Sequence, residues 1–487
     1  MNNTIVFSAY CQGADHKPNN KPCQDYASHY SSEETAIIAL SDGHGGKKYF
    51  RSQYGAQIAT EIAINTLNTF CKEADFEELL GADDLICVPV SKEAFGTPRN
   101  LEYVMRHVFQ HICSEWHRKI EEHFQDNSLT LEEEEFLKKE TVNGTTLYDY
   151  YFDPSGECIK KNLPSAYGCT LFGVAETKNG YWVGFHIGDG KCIAFNEDGA
   201  WYEPIPWDER CFLNKTTSLS HYGDESFRYC IGRNLPAAIF IASDGMDDSY
   251  APMDELAFEY AMNFMANLAV NGEEYTSGKI ASWLDKISEY YSKDDMSIGY
   301  IVASERLRQV LNNYMEKEEP VLNHKRDVLS REVQDKNTVY ETKLKRGEDI
   351  RRQKDTEDHK IKDLENEAIK MQEQYDENRE KIETKSRSRC NFLRRLSKPA
   401  IAYLDSSKED VSSDREKENH ELDIKINAIG HEIEKNVLEN EKLSNELSAL
   451  VANLPVIKKH ATEATKNLNV VENKIRRINR VKESLNK

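Results

Sequence analysis

The chain has 487 residues, more than one ordinary core holds, so two or more units are expected. Charged residues make up 30% and the mean hydropathy is -0.70, which excludes a wholly compact globule and calls for long exposed helix or unfolded segments. The net charge of -21 is uneven: residues 304–487 hold 39 Lys/Arg and 37 Asp/Glu, leaving 24 and 47 for residues 1–303, about -23 there. Such an acidic unit repels phosphate backbones, which argues against a nucleic-acid partner, and it suits cations. The 11 cysteines are odd in number, form no Cys-x-x-Cys pair and lie mostly in apolar stretches. Buried reduced thiols in a reducing compartment are expected. Met1 to Ser8 lacks a basic-then-apolar leader, and no apolar run approaches the ~20 residues that cross a bilayer. The expectation is a cytoplasmic protein without a transmembrane segment.

Residues 4–12 alternate like a strand, and Thr35 to Ser41 form a short apolar run ending at Asp42-Gly43, like a buried strand. Residues 47–71 read as a helix with Tyr54, Ile58, Ile62 and Leu67 on one side. Residues 101–125 read as a second, built around Val104, Val108, Ile112 and Trp116. The acidic stretch 126–165 is expected to be a mobile insertion. From Thr170 the pattern turns to β: 170–176 and 181–187 are joined by Asn179-Gly180, a hairpin signal. Lys191 to Phe195 and the run Ala237 to Ala242 follow, then helices over 252–270 and 277–291 and a closing strand from Ser297 to Ala303. This order suggests an α+β layered domain over residues 1–303.

After Ala303, Gly and aromatic residues become scarce. Alternating steps of four and three residues from Leu422 through Ile426, Ile429 and Ile433 to Leu485 meet apolar side chains except at Asn436, Asn440 and Lys482. A period of 3.5 held this long indicates a left-handed coiled coil. A weaker seam runs from Leu329 to Ile382. Region 304–487 therefore reads as two long helices, about 322–390 and 415–487, around a breaker at Pro399. An antiparallel hairpin and a parallel dimer both fit, so the coil's partner is its own chain, a second copy or another protein. Pro455 is expected to kink or interrupt the second helix.

The chemistry lies in carboxylates at strand ends. Asp42 follows one apolar strand in Ser-Asp-Gly-His-Gly-Gly, and Asp244 another in Ser-Asp-Gly-Met-Asp-Asp. Asp294 and Asp295 precede the last strand, Asp25 lies in Pro-Cys-Gln-Asp-Tyr, and Asp189 in Gly-Asp-Gly. Hard divalent cations prefer such oxygen ligands, and rigid strand ends could hold two of them. Singly, each acid reads as an ordinary turn.

The ordered set resembles the protein phosphatase 2C family, of bacterial type, over residues 1–303. The block Asp42-Gly43-His44-Gly45-Gly46 carries the resemblance, with Gly168-Cys169-Thr170, Gly188-Asp189-Gly190, Asp244-Gly245 and Asp294-Asp295-Met296-Ser297 following in order. It implies a four-layer α-β-β-α sandwich of two antiparallel sheets flanked by helices, here followed by the coiled coil. It also implies a serine/threonine phosphatase with two Mn²⁺ or Mg²⁺ ions and a weaker third. Asp42 would bridge the two ions, the Gly43 carbonyl would serve one, and Asp244 and Asp294 the other. Asp25 would act through metal-bound water, Asp189 with Asp244 would hold the third ion, and Asp248 matches a supporting position. The metals would activate a hydroxide for in-line attack on a phosphoprotein, and His44 would protonate the departing oxygen.

Four departures from the pattern stand out. Gln24 takes the place of the usual Glu before Asp25, and Asn20 that of a phosphate-binding Arg, with Lys17, Lys21 and Lys47 as candidate substitutes. Gly190 replaces a Ser, and Asp295 a common Asn, which makes Asp295 an alternative ligand to Asp294. These departures motivate a rival expectation: a catalytically weak or inactive phosphatase-like signalling or scaffold module. Lys385 to Lys398 is basic and free of acids, a hairpin tip or an anion-binding segment.

Overall fold

A computed structural model describes residues 4–89, 98–211, 215–221, 223–393 and 410–487. Two compact units emerge: residues 1–322 together with 474–487, and residues 323–473.

In the first unit the strands are β1 (Thr4–Cys11), β2 (Asp25–Ser31), β3 (Thr35–Asp42), β4 (Leu85–Val88), β5 (Thr141–Val142), β6 (Thr145–Thr146), β7 (Leu171–Thr177), β8 (Trp182–Ile187), β9 (Lys191–Phe195), β10 (Trp201–Tyr202), β11 (Arg228–Gly232), β12 (Ala238–Ala242) and β13 (Met296–Ala303). One antiparallel sheet runs β1-β13-β12-β9-β10, a second runs β2-β3-β7-β8-β11-β4, and β5-β6 is a small hairpin. The helices are α1 (Ser52–Glu73), α2 (Phe76–Leu80), α3 (Arg99–Asp126), α4 (Leu131–Lys139), α5 (Leu147–Tyr151), α6 (Leu163–Ala166), α7 (Asp244–Ser249), α8 (Met253–Glu259), α9 (Ala266–Asn271), α10 (Glu273–Tyr290), α11 (Leu307–Leu393) and α12 (Asp410–Leu485). A π-helical turn, Tyr260–Met265, joins α8 to α9.

The β3 run shows why the layers stack. Ala36, Ile38 and Leu40 pack between the sheets with Phe172, Ile239 and Ile301. Ile37 and Ala39 face the other way, into the core shared with α1 and α3. A strand covered on both faces reads as a continuous apolar run, as this one does. On the opposite side, Phe240 of β12 stacks on Tyr260, 4.7 Å between ring centres, so the α8–α10 layer closes the sandwich. The α+β four-layer architecture expected from the sequence is the one observed.

Several details differ from expectation. The buried line of α3 is Leu101, Met105, Phe109, Ile112, Trp116 and Ile120, with Val104 and Val108 at its margin. In α1 the buried face is small: Gly55, Ala56, Ala59 and Ala63 beside Ile62 and Leu67, while Tyr54 is 41% exposed. Gly55 explains the shift, because a Cβ there would lie 1.9 Å from the Tyr167 carbonyl oxygen; close approach selects small residues that a hydrophobicity count underrates. Residues 126–165 are not a mobile insertion. They fold as α4, the β5-β6 hairpin, α5 and α6, with Leu137, Leu147 and Tyr151 buried. Glu133 of α4 makes two 2.8 Å bonds to the buried guanidinium of Arg51, so an acid that looked like solvent-exposed charge anchors the segment.

The cysteines are not all reduced thiols either. Cys87 of β4 and Cys230 of β11 stand opposite one another in the antiparallel ladder and form a disulfide across 143 residues of sequence. A pairing made by strand register leaves no trace in cysteine spacing. Eight other described cysteines are free thiols.

The second unit consists of the middle of α11 and most of α12. Arg346 pairs with Glu446 (3.0 Å), Lys354 with Ser444 (3.4 Å) and Gln374 with Glu418 (3.0 Å). As one number rises the other falls, so the helices run antiparallel within one chain. Ile350, Leu422, Ile429, Ala461, Ala464 and Val471, all seam positions, are buried. Pro455 does not interrupt α12, which is one continuous helix around it. Pro455 is exposed, and so is Val451, whose carbonyl loses its usual partner to the proline. Arg394, Arg395, Lys398 and Pro399 of the basic stretch lie outside the described residues. No described helix is long and apolar enough to cross a membrane.

Candidate metal centre

Adjacent strand ends bring the acids together. Asp25 opens β2 directly opposite Asp42, which closes β3. The Asp42 carbonyl accepts from Thr170 N (2.8 Å), and Thr170 Oγ1 accepts from Asp42 N (2.9 Å), tying the Asp42 turn to the Gly168-Cys169-Thr170 segment. Gly43 sits where a Cβ would lie 2.7 Å from the Ser52 carbonyl oxygen and 2.9 Å from that of Gln24. No larger residue could hold this turn against both chains. Asp244 is the first residue of α7. Its neighbour Ser243 donates from N to the Ser297 carbonyl (3.1 Å) and accepts at Oγ from Ser297 N (3.0 Å), which sets the Asp244 loop beside the start of β13.

The result is a cleft of about 700 Å³ lined by Gln24, Asp42, Gly43, His44, Asp189, Asp244, Asp294 and Asp295, and also by His16, Lys21, Tyr49, Arg210, Thr216 and His221. Carboxylate oxygens of Asp42, Asp189 and Asp244 lie within 4.8 Å of one another. Asp25 and Asp248 are not in the cleft wall. Asp25 lies beneath it, buried, and its Oδ2 has no hydrogen-bond partner among the described residues.

Electrostatics mark the cluster as unsatisfied. Burial holds Asp42 and Asp244 well above the usual carboxylate range, and their strongest charged neighbours are other carboxylates: Asp25, Asp189 and Asp294 around Asp42; Asp42, Asp189 and Asp294 around Asp244. Asp25 is raised in the same way by burial and by the charges of Asp295 and Asp244. Burial raises Asp189 and Asp248 too. Hard oxygen donors as close as those of Asp42, Asp189 and Asp244, with the unpartnered Oδ2 of Asp25 nearby on the adjoining strand, fit a divalent cation of the Mg²⁺ or Mn²⁺ kind.

The other predicted residues divide by use. Asp295 is buried and its carboxylate is occupied: Oδ1 accepts from Gly13 N (2.6 Å) and His16 Nδ1 (2.8 Å), and Oδ2 from Gln24 N (2.6 Å). Gln24 donates from Nε2 to the His44 carbonyl (2.8 Å) and to Ser52 Oγ. The His44 ring meets Tyr49 edge-on at 4.8 Å, and burial, with His221 and Lys48 nearby, lowers its pKa to about 4. Lys17 pairs with Asp285 (3.0 Å) and Lys47 with Glu140 (2.6 Å), both away from the cleft wall, whereas Lys21 lines it. Sequence reasoning missed His16, Tyr49 and His221. His16 has no local signal, because its role comes from Asp295, 279 residues away.

The protein phosphatase 2C family signature matches residues 12–285. The chain belongs to the protein phosphatase 2C family. None of the curated proteins is a significant match to it. Similar solved structures include RsbX in complex with magnesium (10% identity, 61% of this chain and 94% of that one, TM-score 0.28). Others are the photosystem II phosphatase PBCP (10%, 61% and 98%, 0.30) and a phosphatase from Toxoplasma gondii (12%, 62% and 92%, 0.30).

Proposed function

We propose that this chain is a metal-dependent protein serine/threonine phosphatase, its catalytic part within residues 1–303 and its helical arm, residues 304–487, a targeting or regulatory element. One observation carries the reading: Asp42, Asp189 and Asp244 converge within 4.8 Å in an open cleft, and the strongest charged neighbours of Asp42 and Asp244 are other carboxylates. Asp42, the Gly43 carbonyl, Asp244 and Asp294 would hold two Mn²⁺ or Mg²⁺ ions, with Asp25 beneath and Asp189 toward a third. Bound there, the cations would supply an activated water near neutral pH and offset charge on the phosphoryl group.

The chain's own groups do the rest. Asp25, buried and with one oxygen unpaired, holds charge or a proton under the cluster. Asp295 pins Gly13 and Gln24 and so fixes the cleft's outer wall. His44 is neutral in the free protein, and a bound phosphate dianion beside it would favour the imidazolium that protonates the leaving oxygen. The eight free thiols support a reducing, cytoplasmic setting, and the Cys87–Cys230 disulfide counts against it. The antiparallel pairing within one chain supports a hairpin over a parallel dimer.

The test is hydrolysis of p-nitrophenyl phosphate and of a phosphothreonine peptide. Turnover that requires Mn²⁺, stops with EDTA and is lost in Asp42→Asn with Asp244→Asn is expected. Turnover that survives either treatment overturns the reading. Mn²⁺ binding without turnover would favour the weak or inactive signalling module that Asn20 and Gln24 suggest.

A further inference from the structure

We propose that Lys21 is the cation that contacts the phosphoryl group of the substrate, and that His16, oriented by Asp295, is the residue that positions it. The inference rests on the phosphatase reading and adds to it a substrate-binding group.

Asp295 Oδ1 accepts from His16 Nδ1 at 2.8 Å, so Nδ1 carries the proton and Nε2 presents a lone pair. The Lys21 ammonium lies on that lone pair at 2.8 Å. The backbone is fixed as well: Lys21 N donates to the His16 carbonyl (3.1 Å), and the Lys21 carbonyl accepts from Gln12 Nε2 (2.5 Å). One ammonium N–H is thus spent on His16 and two remain. Lys21 Nζ is 3.2 Å from where a Cβ on Gly45 would stand, so the ammonium hangs over the glycine turn that follows Asp42 and Gly43. A phosphoryl group held at the acidic cluster has three peripheral oxygens, and a fixed ammonium beside that turn can donate to one of them.

Other cations suit the task less well. Lys17 and Lys47 are paired with Asp285 and Glu140 outside the cleft wall. Arg210 is bound by two of its nitrogens to Asp208 (2.9 and 2.8 Å). Lys215 lines the cleft, but it is exposed. His16, Asp294 and Asp295 also have the spacing of a metal site. Yet Asp295 already accepts two backbone amides, and the ammonium covers His16 Nε2, so the triad is built around a lysine.

The experiment compares full-length Lys21→Met, Lys21→Arg and His16→Gln with the natural chain, all Mn²⁺-loaded, with Lys17→Met as control. Lys21→Met is expected to raise KM for a phosphothreonine peptide about tenfold or more and to weaken inorganic phosphate binding in calorimetry by a similar factor. Lys21→Arg is expected to restore both to within about threefold, His16→Gln to fall between, and Lys17→Met to change neither. Mn²⁺ affinity is expected to stay constant throughout. An unchanged KM and phosphate affinity in Lys21→Met overturns the proposal. So does a loss of Mn²⁺ affinity in His16→Gln, which would make the triad a metal site. If the natural chain shows no turnover, the phosphatase reading fails, and the phosphate titration alone still decides the role of Lys21.

Discussion

Two sets of carboxylates in the first unit meet opposite fates. At the strand ends, Asp25, Asp42, Asp189 and Asp244 crowd together, and the strongest charged neighbours of Asp25, Asp42 and Asp244 are other carboxylates. On α8, Glu255 and Glu259 are one helical turn apart and are met by Lys474 and Arg477 from the last turns of α12. Lys474 reaches Glu255 at 2.5 Å, and Arg477 reaches both oxygens of Glu259 at 2.5 and 2.9 Å and Asn263 Oδ1 at 3.0 Å. Both cations also lie over the Phe258 ring, at 4.6 and 5.1 Å. The α8 pair has a lysine and an arginine on it, whereas Asp42 and Asp244 face other carboxylates first, which leaves room for a charge from outside. Balanced acids hold structure together, and unbalanced ones wait for a ligand.

The comparison can be broken most sharply at Asp42. Loss of a residue that merely supports a metal ligand typically costs 10–100-fold in affinity or activity, so Asp42→Asn is expected to cost at least about 100-fold in Mn²⁺-dependent turnover. Undiminished turnover would put Asp42 with the structural acids. The second test is thermal. Saturating Mn²⁺, at about 100 times its Kd, should stabilise the natural chain by about 2.7 kcal/mol, read as a rise in Tm, and do little for Asp42→Asn with Asp244→Asn. The sign with pH follows from the raised carboxyls. In metal-free protein their protonated forms are favoured on folding, so stability falls as pH rises through their folded pKa values and ionised acids repel. The Mn²⁺ effect should therefore grow with pH.

At the balanced pair, Arg477→Ala leaves Glu259 buried without its partner. A cost of about 2 kcal/mol is expected in denaturant unfolding, below the range for a fully buried pair because Arg477 is 32% exposed. Glu259→Gln with Arg477→Met should cost less than the two single changes added together. Glu176 on β7 marks the boundary between the two cases. Its Oε2 is buried without a hydrogen-bond partner among the described residues, and burial pushes its carboxyl up to about 7. A raised acid stabilises the fold below its unfolded pKa and loses that contribution as pH rises through 7. Glu176→Gln should remove about 1–2 kcal/mol of the stability change between pH 5 and pH 8, the smallest effect of the series.

How much of this was legible in the sequence depends on the range of the contact. The β3 run, the presence of helix α3 and the Asn179-Gly180 turn are local and were readable, although the α3 face was centred on Val104 and Val108 instead of Met105 and Phe109. The acids at strand ends were readable as a set because strand ends are where a rigid ligand can be presented. The face of α1 was misjudged because Gly55 and its alanines pack by closeness, not by hydrophobicity. The 126–165 segment looked mobile because Glu133 cannot be known as the partner of Arg51 from 82 residues away. The Cys87–Cys230 link and the hold of Asp295 on His16 are tertiary facts of the same kind. Pro455 does not interrupt α12: the hydrogen bond it removes is at the exposed Val451, where water can replace it.

The pairing of α8 with the end of α12 also sets an order of events during synthesis. Residues 474–487 belong to the first unit, yet the ribosome reaches them only after residues 323–473. At roughly 5–20 residues per second, that is a wait of about 8–30 s. Through that interval the nascent first unit carries Glu255, Phe258 and Glu259 without the Lys474 and Arg477 that later cover them.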